Sequence, residues 1–259
     1  MNVRRVIRWL IVGLNVAAPV AALGLWISGA GAWALAVIMT AHALWLIPTL
    51  WPECDWCGEV VTLLPGTEGR EVWLTIDDGP DPDDTPRLLD LLDRHQARAT
   101  FFFIGSKAAA HPNLVAEVLR RGLTVGNHTM THPQFWFWAY GPTAVRREIA
   151  ACQSLLGAAA DVAPGWFRAP AGLKNPWVHA EMERQHLRLA CWSARGLDGV
   201  ATDKDRVLRC LKRQVRPGAI VLMHEGRVDA EGRRLAPLIL DDLLSWLEAE
   251  GYRCALPRT

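Results

Sequence analysis

The chain has 259 residues, 51% hydrophobic and 21% charged, which excludes a disordered chain and supplies a sizeable core for one or two domains. With 28 Lys+Arg against 27 Asp+Glu the net charge is +1, so there is no global basic field and nucleic acid is not an expected partner. Six cysteines are too few for a disulfide scaffold.

From Trp9 to Pro52 the chain carries no Asp, Glu, Lys or Arg over 44 residues. A transmembrane helix needs about 20 apolar residues, so the stretch holds two. Ser28-Gly29-Ala30-Gly31 breaks it, and spans are expected at about residues 6–27 and 32–50, a transmembrane hairpin filling residues 1–52. Trp9, Trp26, Trp33, Trp45 and Trp51 sit near the span ends, where aromatic rings favour the interface. A cleaved signal peptide fits less well, because the run exceeds an h-region of about 7–15 residues and the second span would survive cleavage. A buried helical hairpin is the third reading. Arg4, Arg5 and Arg8 crowd the N-terminus, so the positive-inside rule predicts a multi-pass inner-membrane protein with its C-terminal domain on the cytoplasmic face. If the first span were cleaved, the domain would face outward.

Residues 53–70 read as a linker, with Thr62–Arg70 rich in turn formers. Cys54-Asp55-Trp56-Cys57 is a lone Cys-x-x-Cys without the partner pair that a structural zinc site needs. From residue 71 to 259 the pattern alternates. Strand-like runs fall at 72–76, 99–104, 123–126, 166–168, 187–192, 219–223 and 252–256. Amphipathic helical stretches lie between them at 85–94, 114–121, 142–156, 176–185, 203–214 and 237–250. Alternating strands and helices predict an α/β fold with a parallel sheet, and seven strands predict a complete or incomplete barrel.

Reactive groups of such a barrel gather at the C-terminal ends of the strands. Four polar motifs fall there: Asp77-Asp78-Gly79-Pro80, Asn127-His128-Thr129-Met130-Thr131-His132, Arg168-Ala169-Pro170-Ala171-Gly172, and His224. Adjacent carboxylates point in different directions, so one can bind a metal while the other acts on water. The His pair is spaced i, i+4, which puts both rings on one face if the segment coils helically. One Asp and two His make a three-ligand site that suits Zn²⁺, Co²⁺ or Fe²⁺ better than Mg²⁺. Alone, each motif has an ordinary reading as a turn, a capping pair or loop punctuation. Four of them in order, each after a strand-like run, do not.

With these four motifs the chain resembles the polysaccharide deacetylase family, the NodB homology domain of carbohydrate esterase family 4. The matching stretches are 75–80, 128–132, 168–172 and 222–224, within about residues 70–256. The resemblance implies a distorted (β/α)7 barrel and metal-dependent hydrolysis of an N-acyl group, N-acetyl foremost, from an amino sugar. It implies Asp78, His128 and His132 as metal ligands and Asp77 as the general base. It implies His224 as the general acid toward the departing amine, and Asp198 as the carboxylate that orients it. Arg168 should pair with Asp77 and hold it ionised, and the backbone N–H of Ala171 should face the oxyanion. Zn²⁺ is the expected metal, with Co²⁺ or Fe²⁺ as alternatives. Gly199 occupies the family's tryptophan position, so the acyl pocket is wider or another Trp fills it. Ala171 also stands where an aromatic residue is often found.

Gln134-Phe135-Trp136-Phe137-Trp138-Ala139-Tyr140 follows the His pair. It reads as a packed loop over the barrel mouth, as a sugar platform, or as a lip facing lipid. Tethering by two spans favours the lip and, with it, a membrane-resident glycolipid such as a polyprenyl-phosphate-linked N-acyl sugar as substrate and the membrane as partner. Arg146 and Arg147 read as a phosphate contact or a solvated helix face. Alternatives are deformylation of a polyprenyl-phosphate-linked amino sugar and a catalytically inactive glycan- or lipid-binding relative. The base, the ligands and the acid are all present, which favours catalysis.

Overall fold

The computed structural model describes residues 2–160 and 163–258. Two helices open the chain, α1 (Val3–Ile27) and α2 (Gly31–Leu50), joined by a turn at Ser28–Ala30. Both are long and apolar enough to cross a membrane. They pack side by side, and the Asn15 side-chain amide donates to the carbonyls of Ile11 on its own helix and Ala41 on the other, at 3.0 and 2.9 Å. Such a polar side chain satisfied across two apolar helices fixes their relative height.

The remainder alternates strand and helix: β1 (Glu71–Gly79), α3 (Thr85–Arg94), β2 (Ala99–Phe103), α4 (Gly105–Ala110), α5 (Pro112–Arg120), β3 (Thr124–Asn127), α6 (Pro142–Ala160), β4 (Trp166–Phe167), α7 (Pro176–Gln185), β5 (Arg188–Leu189), β6 (Ala194–Arg195), α8 (Lys204–Gln214), β7 (Ile220–His224), α9 (Leu235–Ala249) and β8 (Arg253–Cys254). The strands form a parallel sheet ordered β5-β4-β3-β2-β1-β7-β6, with β8 also on β1. It is a curled half-barrel of the expected class. Central β1 is paired on both sides, with helices over the face of Val72, Leu74 and Ile76 and the barrel interior over that of Trp73, so all four are buried in one apolar run. Against it pack the apolar faces of α3 (Leu88, Leu89, Leu92) and α9 (Ile239, Leu240, Leu243), giving one continuous core.

Two expectations change. The run 187–192 is not one strand: β5 and β6 lie at opposite edges of the sheet, joined by residues 190–193. Ala190 donates to Phe167 on the β4 side, whereas Ser193 donates to Ile220 on the β7 side. An apolar run reports burial and not partner, so only Arg188–Leu189 of it is a strand, and β6 begins beyond it at the other edge.

The segment 53–70 expected to be a linker is built into the gap between those edges. Val61 donates to Leu189 and accepts from Cys191, both at 2.8 Å, and Leu64 donates to Gly218 at 2.8 Å. Val61 and Leu64 are buried with Trp73, Phe102 and Ile220. The backbone groups exposed by an incomplete barrel are thereby paired.

The hairpin is seated on this domain. Arg8 is buried, donating to Glu183 at 2.8 Å and to the Cys57 carbonyl at 3.2 Å, and Arg4 pairs with Asp55 at 2.6 Å. Trp9 and Trp45 meet Trp177 edge-on, with ring centroids 5.9 and 6.1 Å apart. Lys174 donates its backbone N–H to Thr49 and its ammonium to the carbonyls of Trp51 and Pro52.

Candidate active site

Four loops at the C-terminal ends of β1, β3, β4 and β7 meet over one pocket. Asp77 and Asp78 end β1, where the register against β2 slips and Asp78 takes a left-handed conformation at φ 70°. The slip turns the two carboxylates apart. Asp77 Oδ1 accepts from Arg168 Nη1 at 2.7 Å, and Asp78 Oδ1 faces the imidazoles.

The His pair is not helical. His128 follows β3 directly, and the chain then folds through Thr129 (φ 68°) and His132 (φ 53°). The Thr129 hydroxyl accepts the His132 N–H at 3.1 Å, and Glu148 of α6 accepts from both the N–H and the hydroxyl of Thr131. The rings end 4.7 Å apart, brought together by left-handed turns that i, i+4 spacing does not announce.

The three ligand atoms of Asp78, His128 and His132 lie within 4.8 Å of one another. Among the described residues this is the one group of His, Cys, Asp and Glu side chains close enough to share an ion. Asp78 Oδ1 stands 3.5 Å from His128 Nε2 and 3.2 Å from His132 Nε2, buried and without a donor in hydrogen-bond geometry. His128 Nδ1 donates to the Arg168 carbonyl at 2.8 Å, which fixes the tautomer and leaves Nε2 as a lone pair aimed at Asp78. Burial and the neighbouring His128 lower the His132 pKa to about 4, so that ring is neutral at pH 7 and free to ligate. Burial works against the Asp78 carboxylate, and any positive charge on the adjacent imidazoles lowers its pKa by favouring the anion. A carboxylate oxygen and two imidazole nitrogens fit a divalent ion of zinc type.

Arg168 is fully buried. Its Nη1 donates to Asp77 and to Thr75 Oγ1 (2.8 Å), its Nη2 to the Cys191 carbonyl (2.9 Å), and the guanidinium lies 4.3 Å over the Phe102 ring. His224, the last residue of β7, is held by Asp198 at 3.0 Å through its ring. Ala171, with φ 54°, and Gly199 both line the pocket, and a Cβ on Gly199 would touch the His224 ring at 3.5 Å. Trp192 lines the pocket in the absence of an aromatic side chain at 199.

Residues 65–190 match the family described as polysaccharide deacetylase. A chitooligosaccharide deacetylase of Bradyrhizobium sp. (strain ANU 289) is 38% identical over 165 residues, 63% of this chain and 74% of that protein. The chain belongs to the polysaccharide deacetylase family. It is a carbohydrate N-deacetylase, hydrolysing an amide bond. Among solved structures, the deacetylase resembles the Bc1960 peptidoglycan N-acetylglucosamine deacetylase bound to a hydroxamate, with TM-score 0.69 and 28% identity over 76% of this chain and 90% of that one. It also resembles a mutant of the family 4 pseudoenzyme BA3943 of Bacillus anthracis with restored activity, with TM-score 0.67 and 26% identity over 76% and 68% of the two chains.

Sequence reasoning missed several groups around this deacetylase site. Lys107 donates to the Asp78 carbonyl at 2.7 Å, holding the turn that carries the Asp78 carboxylate. Leu197, Val200, Arg195 and Arg227 line the pocket mouth. Only the placement of Arg195 three residues beyond the expected run 187–192 hinted at any of them. The aromatic loop divides: Phe137 is buried against Phe167 and Tyr140, while Phe135 and Trp136 are 75% and 67% exposed.

Proposed function

We propose that this enzyme removes the N-acetyl group of an amino sugar carried on a membrane-resident glycolipid, using a divalent cation, Zn²⁺ by donor chemistry, held by Asp78, His128 and His132. The observation that carries the reading is the convergence of Asp77, Asp78, His128, His132 and His224 in a single pocket, on a domain seated at the foot of two apolar helices. Two spans return the chain to the side from which it started, and the N-terminal arginines favour the cytoplasmic face of the inner membrane for that side.

Asp78, His128 and His132 would hold a divalent cation that would polarise the acyl carbonyl and lower the pKa of water. Asp77 accepts the proton of the attacking water at its free Oδ2, while its Oδ1 stays on Arg168. His224 carries a proton at neutral pH. Burial opposes that charge, but the Asp198 carboxylate and hydrogen bond raise the ring to about 9. The ring gives its proton to the departing amine nitrogen, which is a poor leaving group until protonated. The Ala171 N–H faces the carbonyl oxygen as it becomes an oxyanion. The pocket widened by Gly199 accepts the acyl methyl beside Trp192.

The test is metal analysis of the purified full chain, coupled to acetate and formate release from prenyl-diphosphate-linked and free N-acetyl and N-formyl sugars. Near-stoichiometric zinc and faster acetate release from the lipid-linked sugar are expected. Equal rates on the lipid-linked and free sugars would remove the glycolipid from the reading. Chain lacking metal at full activity would remove the cation.

A further inference from the structure

The direction in which the hairpin leaves the domain follows from the course of α7 and two contacts with it. Helix α7 begins on the side of the active-site mouth, because it follows the loop at the C-terminal end of β4. Arg5 of α1 lies 3.8 Å from Glu183 near the end of α7, and Trp9 meets Trp177 at its start. Helix α1 therefore runs antiparallel to α7, toward the mouth, and continues beyond it. Residues 10–27 extend roughly 27 Å past Trp9, close to the ~30 Å of a hydrocarbon core. A bilayer spanned by this length has its near surface at the Trp9–Trp45–Trp177 cluster, the belt position of aromatic rings. The mouth is at the same level. Lys174 holds the foot of α2, and the next residue, Asn175, donates its amide to the carbonyls of Trp138 and Tyr140 in the aromatic loop, at 2.8 and 2.9 Å.

The surface at that level is apolar. Of the large hydrophobic side chains exposed beyond α2, five surround the pocket: Phe135, Trp136, Leu197, Val200 (84% exposed) and Val228. Leu197 and Val200 line it, and Phe135 and Val228 directly follow the lining residues Gln134 and Arg227. Two cations stand among them. Arg195 and Arg227 line the mouth, both exposed, and neither has a carboxylate within 4.0 Å among the described residues. Exposed apolar groups mixed with unpaired arginines match a headgroup layer, where phosphates pair with the cations and the acyl boundary takes the rings.

We propose that the rim of the active-site mouth, made of Phe135, Trp136, Leu197, Val200 and Val228 together with Arg195 and Arg227, rests on the lipid bilayer that the hairpin spans, so that substrate enters the pocket from the membrane surface. The proposal rests on the reading of α1 and α2 as membrane spans. It adds that the catalytic domain lies mouth-down on the bilayer.

The experiment reconstitutes the full chain in nanodiscs of phosphatidylethanolamine and phosphatidylglycerol, with Cys210 and Cys254 changed to Ser, and attaches an environment-sensitive fluorophore at one of three introduced cysteines. Leu23→Cys reports the span, Val200→Cys the rim, and Arg98→Cys, just before β2 at the opposite end of the barrel, reports water. Blue-shifted emission and quenching by spin-labelled lipid are expected at positions 23 and 200 and not at 98. A shielded probe at 23 with a water-like probe at 200 overturns the rim and leaves the anchor standing. A water-like probe at 23 sinks the anchor and the rim with it. In the same nanodiscs, Phe135→Ser/Trp136→Ser is expected to lower kcat/KM on a prenyl-diphosphate-linked N-acetylglucosamine by about 10-fold, through lost interfacial burial. Turnover of soluble N-acetylchitooligosaccharide should be unchanged. An equal fall on both substrates would mean a structural role for the two rings and would contradict the proposal.

Discussion

The carboxylate of Asp198 grips His224 twice: Oδ1 lies 3.0 Å from the ring Nδ1, and Oδ2 accepts the His224 backbone N–H at 2.7 Å. Ring and main chain are thus fixed to one buried anion, and the ring is raised to about 9 against the effect of its own burial. With His224 as the proposed general acid, which must be protonated to act, activity is expected to fall as pH rises through about 9. Asp198→Asn should bring that alkaline limb down toward the ordinary histidine value of about 6.5 and lower kcat at pH 7.5 by about 10²-fold. The pH profile of kcat/KM checks this, and a limb that stays in place assigns the titration to another group. The same pair stabilises the fold fully below the unfolded histidine pKa, and that contribution is lost as pH rises through about 9.

Asp77 and Asp78 are neighbours with separate partners, so their substitutions should separate as well. Asp77→Asn keeps the three proposed ligand atoms and removes the proposed proton acceptor. Turnover should drop by at least about 10²-fold with the metal content unchanged. His128→Ala removes a ligand, so the metal itself should be lost. Elemental analysis beside acetate release distinguishes the two, and substantial activity in Asp77→Asn would assign the base elsewhere.

Arg168 and Asp77 form a buried ion pair with the guanidinium also bound to Thr75 and Cys191. Arg168→Met leaves the Asp77 carboxylate buried without its counter-charge, which should cost about 3–5 kcal/mol. Arg168→Lys keeps the charge but not the fork that reaches three acceptors. Its stability should fall between the native and Met forms. Chemical denaturation of the three chains measures the order, and a Met variant as stable as the native chain would show the pair to be energetically neutral.

Glu225 lies beneath the turn after β1, accepting from the Thr85 hydroxyl and the Asp81 N–H. Burial outweighs these donors and raises its carboxyl from 4.5 to about 8. Between those values the folded chain holds a proton that the unfolded chain releases, so stability falls as pH rises across that window. Glu225→Gln keeps the shape and removes the ionisation. The loss of thermal stability between pH 5 and pH 8 should therefore be smaller in the variant than in the native chain, and an unchanged loss would assign the pH dependence to other groups.

Much of this molecule was legible in the order of residues. The strand runs ending at Asp77, His128, Arg168 and His224 are strands or strand ends in the structure, because a buried parallel strand leaves a continuous apolar signature. The uncharged stretch from Trp9 to Pro52 is two helices broken at Ser28–Ala30. The misreadings share a cause. Residues 187–192 were apolar enough for one strand, but only Arg188–Leu189 is a strand, and β6 begins beyond the run at the opposite sheet edge. Thr62–Arg70 is rich in turn formers, yet the residues just before and within it are held in the barrel gap by bonds to Leu189, Cys191 and Gly218. The His pair has helical spacing but non-helical backbone at Thr129 and His132.

Residue type and order by themselves marked out the polar side chains proposed to carry the chemistry, placed them after strands, and showed that the chain opens with two membrane-length apolar helices. These properties are local: they depend on a residue and its near neighbours. Tertiary structure alone decided that Asp77 meets Arg168 across 91 positions, that residues 61–64 fill the open barrel, and that the hairpin leaves on the side of the pocket. Each of those depends on contacts between segments far apart in the chain, and neither composition nor periodicity carries that information.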